Sequence, residues 1–314
     1  MHLSKVVKRF RIDKPGKFRL SDIDPGDTCG FDFSKDEIKE RMAKDIKHLA
    51  ERQDLLYAAD RYAVLAIFQA MDAAGKDGVI SHVMSGVNPQ GCEVHSFKAP
   101  SAQELDHDFL WRAAQRLPER GRIGIFNRSY YEETLVVRVH PELLEKQKLP
   151  AGLAGKDVWK ERFKSIRAFE RHLARNGTKV LKFHLRISKE EQRQRFLDRL
   201  EEPNKRWKFN MADVAERTHW DEYMDAYEEM IRETATEDAP WYVVPADNKG
   251  FARLLVAAAM GKALDDLDLQ LPKVANTPDL QKVRQALLDE GAPKKAVAKK
   301  IATKSKPAVK KPAG

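Results

Sequence analysis

The chain of 314 residues is 42% hydrophobic and 33% charged, with a formal net charge of +9 and only two cysteines. That length supports one large α/β domain or two small ones. No apolar run approaches the ~20 residues of a membrane span, and Cys29 and Cys92 have neither metal nor redox spacing, so a membrane-spanning protein, a disulfide scaffold and a zinc module are excluded and a reducing, cytoplasmic setting is expected.

Residues 1–30 read as an irregular charged arm punctuated by Pro15, Gly16, Pro25 and Gly26. Ser34 with Glu37 three residues on forms a capping box, and apolar residues at helical spacing predict a helix from there to about Tyr57. Strand patterns follow at Ala63–Phe68, Glu93–Phe97, Ile123–Phe126, Val180–Leu185 and Trp241–Pro245. Helical patterns fall between and after them, at about 78–86, 101–116, 157–176, 189–200, 211–235 and 249–264. The alternation predicts a five-stranded parallel sheet with helices on both faces, spanning residues 31–270. Ligands of such sheets bind beyond the carboxyl ends of the strands. From 271 to 314 the pattern weakens to a short helix at 279–290 and then a Lys/Ala/Pro-rich tail expected to be disordered. Eight lysines and no acid lie between Gly291 and Gly314. The remainder is therefore close to +1, and a polyanion site on the folded body must come from a local cluster of cations.

The first strand runs into Gln69-Ala70-Met71-Asp72-Ala73-Ala74-Gly75-Lys76-Asp77-Gly78. Small residues there let backbone N–H groups close on phosphate oxygens, the next helix offers its positive end, and Lys76 adds a point charge. The match to a phosphate loop is loose: Ala70 replaces the first Gly, and Asp77 stands where a hydroxyl belongs. Asp72 inside the loop is compatible with phosphate if a divalent cation lies between them. An ordinary turn is the competing reading of the loop alone. The third strand ends in Asn127-Arg128, followed by Glu132, and Arg128 is placed to hold phosphate oxygens bidentately. Lys98 follows the second strand. Lys205, Arg206 and Lys208, interleaved with Trp207, form a basic loop after a charged helix. It reads either as a lid around 200–212 that closes over phosphates or as an exposed turn with Trp207 packed on the core. Arg112, Arg122, Arg138 and His140 are dispersed cations, each able to pair structurally or, together, to line a channel for a long anion.

These segments, with Ser96-Phe97-Lys98-Ala99-Pro100 and the late stretch Ala239–Lys249, occur in the order expected of polyphosphate kinase family 2, which the chain resembles over about residues 35–265. The resemblance implies a three-layer α/β/α P-loop-kinase-like core with a helical lid. It implies phosphate transfer, in either direction, between inorganic polyphosphate and adenine or guanine nucleotides with Mg2+, or Mn2+ in its place, and assembly as a homo-oligomer. It assigns Asp72 to metal and acceptor activation, and Lys76, Arg128 and Glu132 to the catalytic set. Ala73, Ala74, Gly75, Asp77, Gly78, Lys98, Asn127, Arg138, Lys205, Arg206 and Lys208 fall to phosphate or nucleotide binding. The Asn127/Glu132 pair is similar to the subgroup handling nucleoside mono- and diphosphates, hence ADP and AMP as acceptors. Two other readings stay open: an ATP-dependent small-molecule kinase, and a polyanion- or DNA-binding protein acting through its basic tail.

Overall fold

The computed structural model describes residues 3–14, 16–150, 152–273 and 275–291. The disordered tail expected at 291–314 therefore lies almost wholly outside the described residues. The chain divides into one unit, Met1–Leu271, and a second from Pro272. In the second, the helix Pro278–Gly291 exposes Leu280, Val283 and Leu287.

The sheet of the first unit has six strands: β1 (Arg11–Ile12), β2 (Ala63–Gln69), β3 (Cys92–Ser96), β4 (Ile123–Asn127), β5 (Thr178–Arg186) and β6 (Trp241–Pro245), in the order β1-β6-β5-β2-β4-β3. The five expected strands are present and mutually parallel. The sixth is a correction: the charged arm expected to be irregular supplies β1, which pairs antiparallel with β6, Arg11 opposite Tyr242. The preceding helix α1 (Leu3–Arg9) belongs to the same correction. Its Val6 and Val7, with Phe10, are buried, and Phe10 meets Phe251 edge-on at 6.2 Å. A two-residue strand is too short to show period-2 alternation, so only its partner reveals it.

The capping box forms as expected. Glu37 N–H donates to Ser34 Oγ at 3.2 Å and Ser34 N–H donates to the Glu37 carboxylate at 2.9 Å, starting α2 (Lys35–Ala59). The predicted helix 101–116 instead splits into Ala102–Leu105 and Trp111–Ala114. The Asp108 carboxylate accepts the Leu110 N–H at 2.9 Å, a local turn that competes with helix continuation. The 211–235 pattern likewise divides into Met211–Glu216 and Trp220–Thr234, joined by a tight turn.

Alternation along β5 sends side chains to two helical layers. Phe183 stacks between Phe68 and Tyr242 at 4.9 and 5.2 Å. Lys182 points the other way, towards the helices Val158–Arg175 and Trp220–Thr234. Its ammonium donates to Glu170 at 2.7 Å, to the Thr234 carbonyl at 2.8 Å and to Tyr131 Oη at 3.1 Å. Tyr130 and Tyr131 donate to the other Glu170 oxygen at 2.9 and 2.7 Å. Burial lowers the Lys182 pKa, and Glu170 opposes that shift. Removing one partner of so enclosed a pair leaves an uncompensated charge.

The chain leaves β2 towards β3 and β4 on one side, then returns to β5 and β6 on the other. The crevice beyond the carboxyl end of β2 is thus a topological switch point, where open α/β sheets bind ligands. Among the described residues no helix is long and apolar enough to cross a membrane.

Candidate active site

A cavity of about 930 Å³ opens at this switch point. Its floor is the loop after β2, leading into α3 (Lys76–Val83). Ala73 adopts φ +61°, and Gly75, the helix N-cap, φ +102°. The second needs a residue without a Cβ for full comfort. The first is a left-handed non-glycine held by its surroundings, the kind of backbone strain that collects at functional sites.

Lys76 is buried, and its ammonium donates to the Ala70 carbonyl at 2.7 Å and sits 3.4 Å from that of Met71. Burial and then Arg128 push its pKa down, while Asp72, Glu132 and Asp77 push it back up. Arg128 follows β4 at φ +62° and donates to Asp72 Oδ1 at 2.6 Å. Its other terminal nitrogen lies 3.6 Å from the Glu132 carboxylate. Burial works against the guanidinium charge, but Glu132 and Asp72 outweigh it and raise the Arg128 pKa. Asp72, Lys76 and Arg128 therefore form one linked charge cluster at the sheet's rim.

Most residues singled out from sequence converge here. Ala73, Ala74, Gly75, Asp77 and Gly78 line the floor; Lys98, Asn127 and Arg128 line the β3/β4 side; Lys205 and Lys208 reach in from the segment after the helix Lys189–Glu201, where the lid is expected. Asn127 is committed to Asp77, donating to its carboxylate at 2.7 Å. Three expectations shift. Glu132 lies off this cavity and lines a smaller one of about 30 Å³ behind Asp72 and Arg128, with its carboxylate held by Gln69 at 2.9 Å. Arg138 is turned to Glu229, 2.5 Å away, by the short helix Val136–Val139 that carries it. Arg206 donates to the Leu200 carbonyl at 3.0 Å, so it braces the lid turn without entering the cavity. Trp207 is 78% exposed and does not pack on the core. Arg112 supports the rim indirectly: it is buried, lies over the Phe97 ring and donates to the Lys98 carbonyl at 2.7 Å.

Further lining residues were missed. Arg195, Asp198 and Arg199 come from the helix Lys189–Glu201, and Asp213 comes from the lid helix Met211–Glu216. Lys249 and Arg253 stand one turn apart at the start of the helix Lys249–Asp265. Arg199 and Asp213 face each other at 3.6 Å. Burial, then the charge of Asp72, raises the Asp213 pKa. The usable signal was the i, i+4 repeat of cations (195/199 and 249/253) on helices that start just past strand ends. In all, nine Lys and Arg side chains face four carboxylates around the cavity.

Asp72 is the carboxylate that fits a divalent ion. It is part-exposed at the phosphate loop, and one oxygen is held by Arg128. A single carboxylate suits Mg2+, which is held by one or two protein carboxylates together with water and substrate phosphates.

Comparison with known proteins agrees with this geometry. The family model described as Polyphosphate kinase 2 (PPK2) matches residues 32–272. An ADP-polyphosphate phosphotransferase of Rhodopseudomonas palustris is 52% identical over 289 residues, covering 90% of this chain and 98% of that protein. An AMP/ADP-polyphosphate phosphotransferase of Meiothermus ruber is 46% identical, covering 85% and 96%. The crystal structure of Polyphosphate Kinase 2 from Arthrobacter aurescens TC1 superposes with a TM-score of 0.81 at 38% identity, covering 92% of this chain and 97% of that one.

Proposed function

Because this chain belongs to the polyphosphate kinase 2 family and is a polyphosphate-dependent nucleotide phosphotransferase, we propose that it moves the terminal phosphoryl group of inorganic polyphosphate onto ADP, and onto AMP, in the crevice between the Asp72 loop and the lid. The observation that carries this is the size and charge of the cavity: around some 930 Å³ cations outnumber carboxylates, and even with Arg195 spent on backbone carbonyls the positive lining exceeds what one small phosphorylated metabolite needs. A long polyanion uses spaced Lys and Arg without a fixed shape.

In this reading Lys76 and Arg128 hold the migrating phosphoryl group, and their charges meet the negative charge on its equatorial oxygens. Binding draws Lys76 off the Ala70 carbonyl and gives Arg128 a third anion beside Asp72 and Glu132. The protein's work is alignment and charge neutralisation, not covalent chemistry. Asp72 would hold Mg2+, with Mn2+ as a substitute, and the ion supplies charge neutralisation between the loop and the phosphates. Closure of Lys205 and Lys208 excludes water.

The Asn127/Glu132 pair sets the choice between mono- and diphosphate acceptors, with Asn127 on the cavity wall beside Asp77 and Glu132 behind it. The support is position: Glu132 pairs with Arg128 on the side of Asp72 away from the large cavity. Guanine nucleotides serve as well as adenine ones in this account. A homo-oligomer is part of it too, and the tail beyond residue 291 is its candidate for nucleic-acid contact. The test is direct: purified protein with Mg2+, polyphosphate and either ADP or AMP yields ATP or ADP. Failure of both, with ATP-dependent phosphorylation of a small metabolite, would replace this reading by that of an ordinary P-loop kinase.

A further inference from the structure

The helix Lys189–Glu201 does more than line the cavity: one face of it holds the outward side of the phosphate loop. Gln192 and Arg195 are three residues apart on that face, and both are buried, Gln192 to 1% exposure. The Gln192 amide Nε2 donates to the Asp72 carbonyl at 2.9 Å. Arg195 donates from one terminal nitrogen to the carbonyls of Ala73 and Ala74, at 3.2 and 2.7 Å. Its second terminal nitrogen donates to the carbonyls of Ala246 and Asp247 at the end of β6, and its Nε to Glu191 at 2.8 Å. All five N–H donors of Arg195 are therefore matched by protein acceptors. Although it borders the cavity, it has nothing left for a phosphate. Three successive loop carbonyls are gripped in this way. In a trans peptide the N–H points opposite to the C=O. Holding the carbonyls of Asp72 and Ala74 thus turns the N–H groups of Ala73 and Gly75 away from this helix, as donors for phosphate oxygens.

Gln192 is also held from its other end. Arg217, in the turn after the lid helix Met211–Glu216, donates to Gln192 Oε1 at 2.6 Å and to the Lys189 carbonyl at 3.1 Å. The single amide uses its donor on the loop that carries Asp72 and its acceptor on the segment that carries the lid. We propose that Gln192 is a positioning residue that ties the lid to the phosphate loop through Arg217, so that the lid's placement sets the aim of the loop at Asp72. This rests on the phosphotransfer reading above and adds a residue that touches neither substrate nor metal. Neither a carboxylate nor an apolar side chain can play both parts: a carboxylate keeps the Arg217 contact and turns an oxygen on the Asp72 carbonyl, and an apolar group makes neither contact.

The test is a double-mutant cycle on the full chain with Gln192→Met, Arg217→Met and the double variant. Steady-state ATP formation from ADP and polyphosphate and thermal unfolding without substrate are both followed. Gln192→Met is expected to lower kcat about tenfold with KM changed less than twofold, because the interaction aligns reacting groups and does not bind them. The double variant should be no slower than Gln192→Met alone, since either change breaks the same tie. Gln192→Glu, isosteric and still paired with Arg217, should keep the wild-type Tm to within a few degrees and still lose kcat. It decides the matter if Gln192→Met fails to fold. Lys164→Ala, exposed on the helix Val158–Arg175 and paired with Glu161, is the unaffected control. Multiplicative kcat losses for the two substitutions, or a Gln192→Glu enzyme as fast as wild type, would overturn the tie. A wild type that makes no ATP would count against the substrates assigned above, and the cycle read in Tm would still decide the contact: additive Tm changes refute it and non-additive ones support it.

Discussion

The floor and the lid of the cavity are built on opposite terms. In the floor, Lys76, Gln192 and Arg195 are buried and hydrogen-bonded, and backbone strain at Ala73 and Arg128 is held by what surrounds it. The tip of the proposed lid, residues 205–211, shows the reverse. Trp207 and Met211 stand 78% and 75% exposed, Lys205 pairs with Glu202 across the surface, and Lys208 lies over the Trp207 ring at 5.1 Å. Surface pairs of this kind contribute little to stability. In the proposed reading the floor is built before substrate arrives, the base of the lid is held through Arg217 and Glu216, and only its exposed tip moves onto the anion it covers.

The sharpest way to break this contrast is to disturb the sheet whose strand ends carry the floor. Lys182→Met leaves Glu170 buried with two tyrosine donors and no cation, and should cost about 3–5 kcal/mol of stability in urea unfolding. A near-neutral change would mean that the sheet's polar core is not what fixes the strand ends. The second probe is pH. His184, on β5 beside Gln69 and packed 4.3 Å from the Tyr227 ring, is held neutral by burial, its pKa down at about 3. The unfolded chain takes up this proton near pH 6.5 and the folded one only near 3. The contribution is therefore complete above 6.5 and is lost as pH falls towards 3, at about 1.4 kcal/mol per unit. Unfolding of wild type and His184→Gln between pH 7 and 4 should show the slope in the first and a reduced slope in the second. Equal slopes would place the acid sensitivity elsewhere.

Lid changes should act on binding and leave folding alone. Lys205→Ala with Lys208→Ala is expected to raise KM for polyphosphate several-fold and to flatten its salt dependence, with Tm unmoved. A large fall in Tm would show that the lid is part of the scaffold after all. The smallest effect is expected of Trp207→Ala, within about 0.5 kcal/mol in stability, because so exposed a ring has little packing to lose. A larger cost would return Trp207 to the core.

What could be read from sequence follows the same division. The strand ends, the capping box and the Asp72–Lys76 loop were legible because local residue types determine them: small residues for the turn, Ser34 and Glu37 for the cap, apolar runs for β2 and β6. β1 was not, since two residues carry no period and their strand exists only by pairing with β6. Arg138 and Arg206 looked like ligands because a cation's partner cannot be read from its position in the chain. Structure gives the first to Glu229 and the second to a carbonyl. Gln192 and Arg195 stayed invisible for a related reason. The loop acceptors they hold are backbone carbonyls about 120 positions away, and a carbonyl has no residue type to recognise.

The measurement that bears most directly on the account is ATP formation from ADP, Mg2+ and polyphosphate by wild type and by Lys76→Met, with thermal unfolding of both. The loop assignment predicts turnover by the wild type and a loss of about a hundredfold or more in the variant, with a folded protein in each case. A folded Lys76→Met protein that works at the wild-type rate would contradict it.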